Sequence, residues 1–221
     1  MLSIRKSGSI AQILREARDV PARVIPYAAA TALTRTAKRA QQAIIAEMPQ
    51  VFDRPTPYTL NSTFVQPASV KTMTARVAVK DWASNNGTLP EDYLLPAVLG
   101  GGRKEKRFER NLRYAGLLAR GERAVLGQEA PLDAFGNLRR GEMQRILKTD
   151  ENALYFVGRV KRTRGVWRRE GRRLRPVLVF VRRAPQYRAR LDFDGIAERT
   201  TREFFEAEFR AAAEAIVRRR G

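Results

Sequence analysis

The sequence predicts an α+β fold in which long N-terminal and C-terminal helices pack on a small, mostly antiparallel sheet that carries a basic β-hairpin arm. Apolar residues recur at helical spacing from Tyr27 to Met48 and again after Asp192, which marks the two long helices. Between them, short runs rich in β-branched and aromatic residues are separated by Pro- and Gly-containing stretches, which marks the strands. Within that strand region, 13 Arg or Lys stand against a single acid, Glu170, from Arg159 to Arg190. A chain of 221 residues fits one large or two small domains at roughly 100–200 residues each. With no repeat and no low-complexity linker, the expectation is one α+β domain over residues 1–221. It contains a helical segment over 1–50 and the basic β-arm over 159–183.

Ser9 to Asp19 reads as a short helix that Pro21 and Pro26 end, because proline removes a backbone donor and restricts its predecessor. In the Tyr27 to Met48 helix, Ala29, Ala32, Leu33, Thr36, Ala37, Ala40, Ile44 and Met48 share one face, opposite Arg35, Lys38, Arg39 and Gln42. That face is mostly alanine, so it admits close approach but contributes little area at roughly 25 cal/mol per Å². It therefore needs an extensive partner surface. Asp53 to Pro57 is a proline loop, followed by strands at Thr63 to Ala68 and Met73 to Asp81. In the second strand, Ala75, Val77 and Val79 alternate with Thr74, Arg76, Ala78 and Lys80.

Asn85-Asn86-Gly87 and Gly100-Gly101-Gly102 bracket a loop region, after which Glu105 to Leu118 reads as a basic helix ending near Gly116. Pro131 to Gly136 is a connector, and Asn137 is placed to cap a short helix through Leu147. Ala153 to Val160 and Val177 to Arg182 read as strands, with Lys161 to Pro176 as the long arginine-rich connection that forms the arm. In the C-terminal helix, Ile196, Ala197, Phe204, Phe205, Phe209, Ala212 and Ile216 form an apolar stripe. On its opposite face, Arg199 with Glu203 and Glu206 with Arg210 stand four apart, each pair worth roughly 0.2–0.5 kcal/mol.

The hydrophobic share of 43% supports a folded globule, and 43 Lys plus Arg against 23 Asp plus Glu leave a net charge of +20. Such a field favours polyanions: nucleic acid, an anionic membrane surface, or acidic protein faces. The longest strongly apolar run, Val177 to Val181, falls far short of the roughly 20 residues that span a bilayer. Met1 to Val20 lacks the continuous apolar core of a secretory signal. The expectation is a soluble, cytoplasmic chain without membrane partners.

The chain has no Cys and no His, which removes disulfides, thiolate metal sites and every histidine-based triad or zinc motif. Asp81, Glu91, Asp92, Asp133 and Asp150 show no metal-binding spacing, so neither a catalytic residue nor a metal or cofactor is expected. Gly100-Gly101-Gly102-Arg103-Lys104 has the composition of a phosphate-cradling loop but lacks the Gly-Lys-Ser/Thr ending, and reads as a flexible surface turn. The arginine cluster carries more information. Arg159, Lys161, Arg162, Arg164, Trp167, Arg168, Arg169, Arg172, Arg173 and Arg175 are the candidate contacts to DNA or to an acidic partner, with Tyr187 further on. Phe204, Phe205 and Phe209 are candidates for core or for a subunit interface.

Three segments together resemble phage minor tail protein Z-like and tail-completion proteins. They are the helix Pro26-Tyr27-Ala28-Ala29-Ala30-Thr31-Ala32-Leu33-Thr34-Arg35-Thr36-Ala37, the stretch from Pro131 to Leu147, and Asp192 to Phe209. The resemblance implies a structural virion component near the tail, neck or head–tail junction, formed in the host cytoplasm. Its partners would be other tail or neck proteins in a homo-oligomeric ring around the genomic DNA, and it would have no active site. The residues alone leave two other readings open: a nonspecific DNA-binding protein, and a divalent-metal nuclease.

Overall fold

The computed structural model describes residues 20–83, 88–148 and 154–220. The helix expected at Ser9 to Asp19 lies outside these residues, as do Asn85 to Gly87. The described chain forms two compact units where a single domain was the expectation. One holds the residues up to 83 with Leu89–Leu94 and the chain from Ala189 onward; the other is essentially Leu95–Arg188. The division has a physical basis, because each unit closes its own hydrophobic core.

The first unit is built on a helix pair. Helix α1 (Ile25–Val51) starts with Pro26 in its first turn, where a missing amide donor does no harm. It buries Ala28, Ala29, Ala32, Thr36, Ala37, Ala40, Ile44 and Met48, the face that its periodicity predicts together with its neighbours. The last helix, α6 (Phe193–Arg220), lays Phe205, Phe209, Ala212 and Ala213 against Ala28, Ala29 and Ala32. Alanine on one side and phenylalanine on the other fill the interface, because a small-residue face leaves room for rings. Asp192 opens α6 by accepting from Gly195 N at 3.0 Å, and its carboxylate takes Arg199 at 2.9 Å in place of the expected Arg199–Glu203 pair. The Glu206–Arg210 pair forms as expected.

Between the two long helices in sequence lie a single turn, α2 (Pro57–Leu60), and the antiparallel strands β1 (Thr63–Gln66) and β2 (Arg76–Val79). Both strands are shorter than their apolar patterns suggest, since Ser69 and Thr72 tie the connecting loop through reciprocal side-chain bonds. Gln41 of α1 donates to Thr63 O at 3.0 Å, and Thr34 accepts from Ala68 N at 3.0 Å, which pins this hairpin to the helix. Helix α3 (Pro90–Leu99) carries the chain from the first unit into the second.

The second unit contains β3 (Gly101–Gly102), α4 (Arg107–Tyr114), β4 (Arg123–Leu126), α5 (Glu142–Leu147), β5 (Tyr155–Val160), β6 (Thr163–Glu170), β7 (Arg173–Val181) and β8 (Gln186–Tyr187). Four strands form an antiparallel sheet in the order β4-β7-β6-β5. Leu112 of α4 and Ile146 of α5 cover one face of it, meeting Ala124, Tyr155, Val166, Leu178 and Phe180.

Three local expectations are corrected here. The connection Lys161 to Pro176 is no projecting arm, because it is taken up by β6, an interior strand with Val166 fully buried, and by the start of β7. The sheet-forming signal was masked by Arg164, Arg168 and Arg169, which interrupt its apolar pattern. Gly101 and Gly102 pair with Tyr187 and Gln186 as a two-residue strand instead of forming a free turn. Asn137 caps no helix: its amide donates to Asp133 Oδ1 at 2.9 Å within a turn, and α5 starts after Gly141, whose φ of 86° suits glycine. Gly165 is demanded by packing, since a Cβ there would lie 2.1 Å from Leu178 O at the register shift between Val166 and Trp167. Among the described residues no helix is long and apolar enough to cross a membrane.

Candidate polyanion-binding site

The second unit concentrates the charge. Its span holds 24 Lys and Arg against 9 Asp and Glu, so a surplus of 15 out of the chain's +20 resides there. What that surplus can do depends on which cations already have partners.

The described acids of this unit are all engaged internally. Glu109 has no solvent exposure, and its two oxygens accept Arg103 Nη1 and Nη2 at 2.7 and 2.8 Å, Lys106 N at 2.7 Å and Ala124 N at 2.8 Å. Burial pushes this carboxyl up, but the Arg103 guanidinium and the two amides more than offset it and hold it below its ordinary value. The result is a latch joining the Gly-rich segment, α4 and β4. Glu105 takes Arg113 at 2.5 Å and Arg123 at 3.8 Å, and Glu122 takes Arg164. Glu142 binds Arg145 at 2.9 Å and accepts the Tyr155 hydroxyl at 2.5 Å; burial first, and then this carboxylate, raises the tyrosine's pKa. Glu129 and Glu170 share Arg175, each at 2.9 Å, and Glu170 also meets Arg168 at 3.6 Å. Asp133 accepts the amides of Phe135 and Asn137.

The predicted contact residues therefore separate. Arg164 sits over the Phe180 ring, 5.1 Å from its centroid, and also donates to Leu117 O. Arg164, Arg168 and Arg175 are thus committed to acids of the same unit. Trp167 is 7% exposed and donates to Gly158 O at 3.3 Å, so its indole is structural and offers no open face for stacking a base. Arg169 sits over the Phe156 ring at 4.4 Å on the opposite sheet face from Val166. Lys161 and Arg162 occupy the β5–β6 turn, whereas Arg172 lies in the β6–β7 turn and Arg173 opens β7 at the other end of β6. A run that looks continuous in sequence is split between two ends and two faces by the antiparallel meander.

One end of the sheet gathers uncompensated charge. Arg123 pairs with Val181 and Val160 with Thr163, so β4 and β6 begin where β5 and β7 finish. Just beyond this row lie Arg120, Lys161, Arg162, Arg182 and Arg183, with Arg159 one residue inside it. All six are exposed, and among the described residues none of them forms an ion pair. Arg120 stands at a turn closed by Glu122 N donating to Ala119 O at 3.1 Å, with Gly121 at φ 80°. Lys161 and Arg162 adopt φ of 45° and 68°, the left-handed geometry of a two-residue hairpin turn that Asn-Gly normally fills. Arg120, Arg182 and Arg183 were not among the sequence-predicted contacts. Gly121 after Arg120, and Pro185 shortly after Arg183, were the available signals for chain reversals there.

The remaining candidates fall elsewhere. Phe205 and Phe209 are buried in the helix-pair core, with ring centroids 6.5 Å apart, and Phe204 is half-buried under the Arg39 guanidinium at 4.7 Å. Phe205 and Phe209 thus lie in an intramolecular core, because α1 supplies the surface that this part of the stripe needs. Arg103 of the glycine-rich segment is spent on Glu109. Among the described residues no group of three or more acids converges; Asp150 lies outside them.

Comparison with protein-family models, with curated proteins and with solved structures returned no match.

Proposed function

We propose that this chain is a structural component of a tailed bacteriophage particle: a tail-completion, neck or minor tail protein that joins subunits at or near the head–tail junction around the DNA path. In this reading it has no catalytic role, assembles as a homo-oligomeric ring with other tail or neck proteins, and meets a polyanionic neighbour through its second unit. The resemblance of Pro26 to Ala37, Pro131 to Leu147 and Asp192 to Phe209 to such proteins supports the location.

The observation that carries the reading is the distribution of charge in the sheet unit. Its described acids are consumed by internal partners, while exposed cations at one end of the sheet have no acid to meet. A surface kept at such a surplus repels its own copies unless a polyanion or an acidic neighbour neutralises it. Scaffold and binding surface are also separate, because the helix pair closes its own core without the cationic end.

The test is cryo-EM of purified particles, together with particles produced without this chain. Density for the chain in the neck or tail, and unjoined heads and tails in its absence, is the expected outcome. Complete particles that lack the chain would remove the reading.

A further inference from the structure

We infer that the end of the sheet bearing Arg120, Arg159, Lys161, Arg162, Arg182 and Arg183 is a binding site for the phosphate backbone of duplex DNA. This deepens the polyanion-contacting part of the function proposed above, and it is independent of where in a particle the chain resides.

Strand order and register bring the cations together. Residues preceding β4, following β7 and linking β5 to β6 leave the sheet at the same end. Four adjacent strands at about 4.8 Å spacing make this edge about 15 Å wide. Duplex DNA carries one charge per about 1.7 Å of axis, so a length of about 15 Å holds about nine phosphate charges, about half of them on the side turned to the strip. An acidic protein surface seldom matches this density, which is why duplex is favoured over a carboxylate-bearing partner.

The described acids at this end are removed from competition, and Glu105 is taken by Arg113 and Arg123. Glu122 is held by Arg164, which is itself fixed against Phe180, and Glu122 Oε2 also accepts Ala119 N at 3.0 Å beside the Arg120 turn. The opposite end differs, because there Arg168 and Arg175 share Glu170, and Arg175 also takes Glu129, beside Arg172 and Arg173.

The β5–β6 turn adds an independent sign. Lys161 and Arg162 both sit in the left-handed region, where long side chains are disfavoured and Asn-Gly would serve the hairpin better. A cationic pair at a strained position fits a binding role better than a folding role. The six residues are all cations, the side chains that contact phosphate and fix a protein on duplex without themselves carrying sequence information there.

The experiment measures binding of the full-length chain to a labelled duplex of about 30 base pairs by fluorescence anisotropy, from about 50 to 200 mM salt. Engagement of about five phosphates predicts a log–log salt slope of about −4.5, a fall of roughly 500-fold over that range. The variant K161A/R162A/R182A/R183A is expected to flatten the slope by about 3 and to weaken binding at least about 100-fold at the lowest salt. R182K/R183K keeps the slope, and R172A/R173A changes affinity by less than about threefold. Equal weakening by R172A/R173A, absence of duplex binding at about 50 mM salt, or displacement of the duplex by polyglutamate at equal charge would each overturn the site, the last in favour of an acidic protein partner. The assay needs no particle. A chain absent from particles that still binds DNA through this end leaves the site standing, and a chain present in particles that ignores DNA leaves only the location standing.

Discussion

Arg103 holds Glu109 through two parallel hydrogen bonds of 2.7 and 2.8 Å, at a carboxylate shielded completely from solvent. Because the Arg103 side chain is itself only 6% exposed, removing the carboxylate strands a buried guanidinium. Glu109→Ala is expected to destabilise the sheet unit by about 3–5 kcal/mol, measured as a shift in the urea midpoint. The charged pair also sets an acid limit. The Glu109 pKa is lowered in the fold, so its contribution is complete above the ordinary glutamate value of about 4.3. It is lost as pH falls from there through the lower folded value. Glu109→Gln should flatten this acid limb of a stability–pH curve, and an unchanged limb would show that other carboxylates control it.

The helix pair depends on size complementarity between alanine and phenylalanine. Phe209, at 2% exposure, packs among Ala28, Ala29 and Ala32. Phe209→Ala should cost about 3–5 kcal/mol through the cavity it leaves. Ala32→Leu should cost about 1–3 kcal/mol through overpacking, since Ala32 is fully buried. Calorimetric unfolding of both variants checks the pair, and an Ala32→Leu chain as stable as the parent would mean the helices are not in close contact.

At Gly165 the limit is backbone against backbone. Any side chain there meets Leu178 O and must part β6 from β7. Gly165→Ala is expected to lose about 3 kcal/mol or more, with amide exchange accelerating across both strands. Gly171→Ala tests a milder constraint, because that turn residue has φ of 57° and open space around it. It should lose about 1 kcal/mol.

The cationic hairpin turn should trade stability for binding. Replacing Lys161-Arg162 by Asn-Gly relaxes two left-handed residues and is expected to add about 1 kcal/mol, raising the midpoint of thermal unfolding by about 2–4 °C. The same change removes two site charges and should weaken duplex binding. A midpoint that falls would show that the turn is not strained.

Parts of this fold were legible because their signals are local. The α1 face from Ala29 to Met48 and the α6 stripe from Ile196 to Ile216 follow from 3.6-residue periodicity, which packing preserved. Strand β6 was hidden because Thr163 to Glu170 carries three arginines and one glycine, and only Val166 and Trp167 betray a buried strand. The Gly171-Arg172 pair was its one turn signal, of the kind that starts a tight hairpin with glycine first. Among the predicted contacts, Arg159, Lys161 and Arg162 do share an exposed end, whereas Trp167 and Arg164 proved structural.

By itself the sequence determined the two long helices, the α+β class and the excess of positive charge, since periodicity and composition need no knowledge of distant residues. Only the tertiary structure decided which arginines remain unpaired. Arg175 and Arg182 are seven residues apart on one segment, yet antiparallel pairing sets Glu129 and Glu170 beside the first, while the second stands exposed at the opposite end of the sheet. Ion pairing depends on separations of a few ångströms that strand register alone establishes, and register is a property of the folded chain.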